Sequence, residues 1–111
     1  LLDGLRTKWD DYSGPLVVGY EQVVHHSSVY AAHKYGGQIA IIQHYCHLQN
    51  LRVIPVAVAT VKRMLRCGAS GRGKETAMVE AAHKLGYDGV TDHNEADAVG
   101  VGLGVFEWLN K

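Results

Sequence analysis

The sequence predicts a single α/β domain with parallel strands over residues 1–111. Two apolar runs rich in β-branched residues, 16–24 and 51–56, flank a long segment of helical character, and a helix is the usual connection between parallel strands. Further helical segments follow the second run. Because two strands are too few for an independently stable sheet, we expect additional strands upstream of Leu1.

The first half of the chain predicts a helix followed by a strand. Apolar residues at helical spacing indicate a helix over Leu1–Tyr12, which Gly14 and Pro15 end. The strand Leu16–Val24 is almost continuously apolar, which is typical of a strand buried on both faces. Its one charged residue is Glu21.

A long helix is predicted to begin after Ser27 or Ser28 and to end near Asn50. Its candidates for the inward face are Val29, Ala32, Gly36, Ala40 and Tyr45. Each glycine of the pair Gly36-Gly37 weakens a helix by roughly 1 kcal/mol relative to alanine. We therefore expect close helix packing at this pair in return.

The second half predicts one more strand and then helices. These elements are the strand Leu51–Val56, a short basic helix capped by Thr60 and ending near Arg66, the helix Lys74–Leu85 and the helix His93–Leu109. Residues 68–73 form a glycine-rich loop, and Gly86 follows a helix at the position where glycine is favoured. In the last helix, Ala96, Val99, Leu103 and Phe106 share one face.

Composition excludes several classes of protein. With 47% hydrophobic and 20% charged residues, the chain is not expected to be disordered. No apolar run approaches the roughly 18 residues that a membrane span needs, and residues 1–11 lack the apolar core of a signal peptide. The 2 cysteines form no CxxC motif. We expect a cytoplasmic protein in a reducing compartment.

The charges are unevenly distributed, although 11 basic and 11 acidic residues cancel. Positions 62–74 contain only basic charges, at Lys62, Arg63, Arg66, Arg72 and Lys74. The last quarter is mostly acidic. A basic patch next to carboxylates suits a metal-dependent enzyme that acts on a polyanion. The alternative is that these charges are simply solvated on helix faces.

Glu21 and Asp97 are the leading candidates for metal ligands. An ionised carboxylate within a buried strand is costly unless it is paired or bound to a cation, although a structural salt bridge remains an alternative for Glu21. Asn94 and His93 precede Asp97 by three and four positions and share its helix face. Carboxylate and amide oxygens are ligands that Mg²⁺ prefers.

For two other motifs we favour an interpretation other than catalysis. Asp92 and Glu95 fit a helix capping box. Gly68-x4-Gly73-Lys74 nearly matches a nucleotide-binding P-loop, but Glu75 replaces the hydroxyl residue and the motif does not follow a strand. We favour a basic loop that binds nucleic-acid phosphates and keep a P-loop-like nucleotide binder as a weaker alternative.

The 7 histidines suggest zinc, but the spacing argues against it. His44 and Cys46 point apart on a helix, and no second ligand pair has zinc spacing. His25 and His26 are the exception, because they directly follow the strand that carries Glu21 and could contact a substrate there.

Several motifs occur along the chain in a specific order. They are Tyr20-Glu21-Gln22-Val23, a long helix rich in small residues, a strand, Thr60-Val61-Lys62, a glycine-rich loop with Lys74, and Asn94-Glu95-Ala96-Asp97-Ala98. This order resembles the RuvC-type Holliday junction resolvases of the ribonuclease H-like superfamily, and the glycine-rich last helix is most similar to the phage-type branch. The resemblance implies a ribonuclease H-like fold, a mixed central sheet flanked by helices, here without its first three strands.

The resemblance also implies a function in DNA recombination and repair. It implies Mg²⁺-dependent hydrolysis of phosphodiesters at four-way DNA junctions by a homodimer, with Mn²⁺ as a substitute. The catalytic, metal-ligating residues would be Glu21, Asp97 and Asn94, with His93 as a further metal ligand. The DNA-binding residues would be Lys62, Arg63, Arg66, Arg72, Lys74, His25 and His26.

Three departures from the family pattern limit this expectation. The family's first catalytic Asp has no counterpart, so this chain alone is not expected to be a competent nuclease. Asn94 stands where the family usually has Asp or His. Val24 stands where many members have an aromatic residue that inserts into the junction. A non-catalytic nucleic-acid-binding relative of the same fold is therefore the alternative.

Overall fold

The computed structural model describes residues 14–68 and 73–111. These residues form a small α/β domain whose elements are β1 (Val17–Gln22), α1 (Val29–Leu48), β2 (Arg52–Ala57), α2 (Val58–Leu65), α3 (Lys74–Lys84) and α4 (His93–Leu109). The predicted α/β class and the order of these elements are confirmed. The predicted helix Leu1–Tyr12 lies outside the described residues.

The described strands form a two-stranded sheet in which β1 and β2 run parallel. Helix α1 provides the crossover between them and packs against β2. Glu21 lies opposite Val56, and Gln22 opposite Ala57, so both strands end at the same edge. The expectation that β1 is buried on both faces is wrong, because residues 17–21 are only half-buried and Gln22 is exposed.

Helix α4 is the centre of the core. It packs against the strands β1 and β2 and against the helices α2 and α3. One cluster of buried apolar residues forms the core: Ile54, Val56, Val61, Leu65, Met78, Ala82, Leu85, Val90, Ala96, Leu103 and Val105. Glycines permit close approach of the backbones here. A Cβ atom at Gly100 would lie 2.7 Å from Val61 Cγ1, and one at Gly104 would lie 2.7 Å from Val56 Cγ1.

The predicted inward face of α1 is largely wrong. Val29 and Tyr45 are 73% and 57% exposed, and Gly36 and Ala40 are also exposed. The more buried positions follow a spacing of three and four, at Ala32, Tyr35, Ile39, Ile42 and Cys46. Apolar residues occur all round α1, so periodicity alone does not select its inward face. No described atom lies within 4 Å of a Cβ built at Gly36 or Gly37, so the packing expected there is also wrong.

Side-chain caps explain some helix boundaries and not others. Ser28 caps α1, and its Oγ accepts a hydrogen bond from the Ala31 amide at 3.0 Å. Gly86 ends the α3 segment with a φ of 96°, as predicted. Thr60, the expected cap of α2, instead lies inside that helix, because β2 continues into α2 without a loop. In residues 14–68 and 73–111, no helix is long and apolar enough to cross a membrane.

Candidate functional site

The structure brings the Glu21 and Asp97 carboxyl groups close together. Glu21 lies near the carboxyl end of β1 and Asp97 near the start of α4. The boundary of α4 is fixed by Asp92, whose Oδ1 accepts a hydrogen bond from the Glu95 amide at 2.8 Å, as the capping motif predicts. Burial raises the pKa of Glu21, and the charge of Asp97 raises it further. Burial likewise raises the pKa of Asp97.

Neither carboxylate is neutralised by a direct partner among the described residues. The ion pairs in that part of the chain are Arg63 with Glu107 and His93 with Glu75, and no described side chain donates a hydrogen bond to Glu21 or Asp97. The salt-bridge alternative for Glu21 therefore finds no support in these residues. Two half-buried carboxylates that repel each other form a place where a cation is electrostatically favoured.

Two lysines face this carboxylate pair from separate helices. Lys62 of α2 and Lys74, the first residue of α3, both lower the pKa of Glu21, although burial outweighs them. Lys74 also lowers the pKa of Asp97. Both lysines are half-buried. The structure thus brings together the charges of four residues that were predicted from separate motifs. We call this group, Glu21, Asp97, Lys62 and Lys74, the carboxylate–lysine site.

His93 and Asn94 differ in their relation to Asp97. The positive form of His93 lowers the pKa of Asp97, and His93 is half-buried, with Nδ1 3.4 Å from Glu75 Oε2. Asn94 is exposed. Of the two candidates for an additional ligand, His93 is therefore the one whose charge acts on the carboxylate–lysine site.

The remaining basic candidates lie in different environments. Arg63 forms a two-point ion pair with Glu107, with both nitrogen–oxygen distances at 2.7 Å, and this pairing raises the pKa of Arg63. Its charge is therefore largely balanced by a carboxylate. Arg66 is exposed at the end of α2, in a left-handed conformation with a φ of 57°. Arg72 lies outside the described residues.

The two histidines after β1 are also separated by the structure. His25 is exposed, whereas the ring of His26 packs against that of Tyr35, with ring centroids 5.0 Å apart. Tyr35 contacts the Glu21 backbone and Glu75 contacts His93, and the sequence predicts neither contact. A tyrosine within an apolar helix is a usable signal, because a buried hydroxyl requires a partner, but the sequence does not show which partner.

Two of the described residues carry side chains of the kind that can hold a metal ion. Glu21 and Asp97 offer the oxygen ligands that Mg²⁺ prefers, and their shared burial without a hydrogen-bond donor fits a cation. Within residues 14–68 and 73–111, however, no three His, Cys, Asp or Glu side chains converge to hold a metal ion. The carboxylate pair would therefore need water, phosphate or further residues to complete the coordination of a metal.

Comparison with known proteins adds no relative. No family model matches the chain, and neither a curated protein nor a solved structure matches it significantly. The carboxylate–lysine site and the motifs that form it are therefore the features that bear on function.

Proposed function

We propose that this chain carries metal-ligating carboxylates of a structure-selective DNA endonuclease of RuvC type, with a ribonuclease H-like fold, that resolves four-way junctions by phosphodiester hydrolysis. The observation that supports it is the convergence of Glu21, Asp97, Lys62 and Lys74 from four separate elements. Carboxylates suit a hard divalent cation, and lysines suit a phosphate. The parallel β1–β2 pair with its helices is compatible with part of such a fold.

In this proposal, Glu21 and Asp97 would hold Mg²⁺, or Mn²⁺ in its place, and His93 lies beside Asp97. The metal would supply activation of water and stabilisation of the leaving oxygen. Lys62 and Lys74 bind phosphate oxygens of the DNA next to the carboxylates, so that the scissile group is held where the ligands converge. Positive charge from the lysines also reduces the repulsion between the polyanion and the carboxylate pair.

The proposed enzyme acts as a homodimer, with one active site for each strand that is cut. Helix α1 supports this part of the proposal, because Ile41, Tyr45 and Leu48 lie at helical spacings of four and three and are 71%, 57% and 63% exposed. An exposed apolar surface of this kind is typical of an interaction site. Sedimentation equilibrium of the wild type and of Ile41→Asp tests it: we expect a dimer for the wild type and a monomer for the variant, and a monomeric wild type contradicts it.

The principal test is the variant Glu21→Gln in the intact gene product, assayed on a labelled four-way junction with Mg²⁺. We expect cleavage to be lost while junction binding is retained, because the amide keeps the size of the side chain and loses its charge. Glu80→Gln is the matched control, since Glu80 is an exposed glutamate of α3, and it should cleave normally. Full cleavage by Glu21→Gln would overturn the proposed catalysis.

The second candidate is a non-catalytic nucleic-acid-binding protein with the same basic residues. The observation that favours it is that the described residues do not bring three metal ligands together. In that case the intact gene product binds junctions but does not cleave them with Mg²⁺ or Mn²⁺. In both cases Lys62→Ala and Lys74→Ala should each reduce the slope of log affinity against log salt by about 0.9.

A further inference from the structure

The hydroxyl of Tyr35 connects α1 to the end of β1. Tyr35 Oη donates a hydrogen bond to the Glu21 carbonyl oxygen at 2.6 Å and accepts one from the Val23 amide at 3.0 Å. Both bonds are partly buried. Tyr35 therefore contacts the backbone on both sides of Gln22, the last residue of the strand.

These two bonds reproduce the bonding of a neighbouring strand. A residue of a parallel neighbour donates to the carbonyl of one residue and accepts from the amide two residues later. A single hydroxyl, which is both donor and acceptor, can make both bonds. Tyr35 thus extends the hydrogen bonding of β1 beyond Gln22, where the pairing with β2 ends.

The position of this contact relates it to the carboxylate–lysine site. Glu21 is the penultimate residue of β1, and strand ends fray when their backbone groups lack partners. The direction of the Glu21 side chain depends on its own backbone torsions, which the bond to its carbonyl restrains. The His26 ring packs on Tyr35 at 5.0 Å and limits the movement of the tyrosine.

We propose that Tyr35 is a positioning residue, whose paired hydrogen bonds to Glu21 and Val23 hold the Glu21 carboxylate opposite Asp97. It acts through the backbone and has no direct contact with substrate. This inference rests on the proposed function in one respect: it takes the Glu21–Asp97 pair to be the functional site.

The test compares Tyr35→Phe, which removes only the bridging hydroxyl, with Tyr30→Phe. Tyr30 is on the same helix and is 76% exposed, so it controls for the loss of a tyrosine hydroxyl from α1. The primary readout is the set of three-bond NMR couplings that report the χ1 rotamer populations of Glu21. We expect Glu21 to keep one dominant rotamer in the wild type and in Tyr30→Phe and to average over several rotamers in Tyr35→Phe. Unchanged rotamer populations in Tyr35→Phe overturn the proposal.

A second measurement needs no variant. The Val23 amide of the wild type should exchange with solvent at least tenfold more slowly than its sequence alone dictates, because it donates to Tyr35. Exchange at the unprotected rate overturns the proposal even if Tyr35→Phe does not fold.

Mn²⁺ binding measured by electron paramagnetic resonance separates this inference from the proposed function. Loss of a group that orients metal ligands typically lowers affinity 10- to 100-fold, so Tyr35→Phe should bind Mn²⁺ about tenfold more weakly than Tyr30→Phe. If the wild type neither binds Mn²⁺ nor cleaves DNA while the Glu21 rotamer populations still change in Tyr35→Phe, the proposed function fails and the positioning role stands. If the wild type cleaves and Tyr35→Phe matches it in rotamer populations, affinity and turnover, the positioning role fails alone.

Discussion

Replacement of Gly100 in α4 tests the packing that holds Asp97 in place. A Cβ atom at Gly100 would lie 2.7 Å from Val61 Cγ1, 3.0 Å from the Val61 carbonyl oxygen and 3.2 Å from Leu65 Cγ. The carbonyl is backbone within α2 and cannot rotate away. Gly102 in the same helix is the matched control, because a Cβ atom there meets nothing within 4 Å.

The expected magnitudes follow from two opposing terms. Replacing glycine with alanine inside a helix stabilises it by about 1 kcal/mol, and this gain applies at both positions. Overpacking costs about 1–3 kcal/mol, and it applies only at Gly100. Gly102→Ala should therefore be about 1 kcal/mol more stable than the wild type. Gly100→Ala should range from unchanged to about 2 kcal/mol less stable.

Guanidinium unfolding followed by circular dichroism at 222 nm measures both variants. The free energies of unfolding should differ by about 1–3 kcal/mol in favour of Gly102→Ala. If Gly100→Ala is as stable as Gly102→Ala, then α2 and α4 do not approach as closely as the structure indicates. In that case, packing of α4 against α2 does not hold Asp97 in place.

Three further predictions concern charge. Burial raises the pKa of Glu21 and Asp97, so the folded state holds protons at these groups more tightly than the unfolded chain does. Their contribution to stability therefore falls as pH rises from their ordinary values, 3.8 for Asp97 and 4.5 for Glu21, through the folded-state values. Urea midpoints from pH 4 to 7 should show a smaller decline in Glu21→Gln than in the wild type, and equal declines would contradict this. Arg63→Ala should unfold at nearly the same temperature as the wild type, because its ion pair with Glu107 is exposed to solvent and screened by salt; a large drop in the unfolding temperature would contradict this. Glu107→Gln should free Arg63 for phosphate and steepen the salt dependence of junction binding by about 0.9, whereas an unchanged slope would show that Arg63 does not face the DNA.

Local signals in the sequence predict most of the described fold. The bounds of α4 agree with the prediction, because Asp92 is a strong cap and the apolar residues that follow have helical spacing. Both strands are confirmed to within two residues. The start of α2 could not be predicted from Thr60, because this helix has no side-chain cap. The inward face of α1 could not be predicted because the helix is apolar on every side.

The residues of the candidate site likewise differ in whether a local sequence signal predicts them. A lone carboxylate in an apolar strand identifies Glu21 without any structural information, and the position of Asp97 near a helix start is equally local. The pairing of Arg63 with Glu107 joins α2 to the last turn of α4, and no short-range pattern encodes it. The hydrogen bond from Tyr35 to the Glu21 carbonyl likewise depends on where the fold places α1 relative to the end of β1.

The carboxylate pair works against the stability of the domain, and apolar packing must hold it together. Glu21 and Asp97 repel each other, and burial disfavours their charged forms. Beside them, Gly19 of β1 faces α4 so closely that a Cβ atom there would lie 2.5 Å from Val105 Cγ2. Because β-branched residues have one strongly preferred rotamer in a helix, this valine cannot easily move away. The absence of a side chain at Gly19 thus lets the strand and helix approach closely enough for the charge of Asp97 to act on Glu21. A cation held at that point would remove the repulsion without any change in the packing.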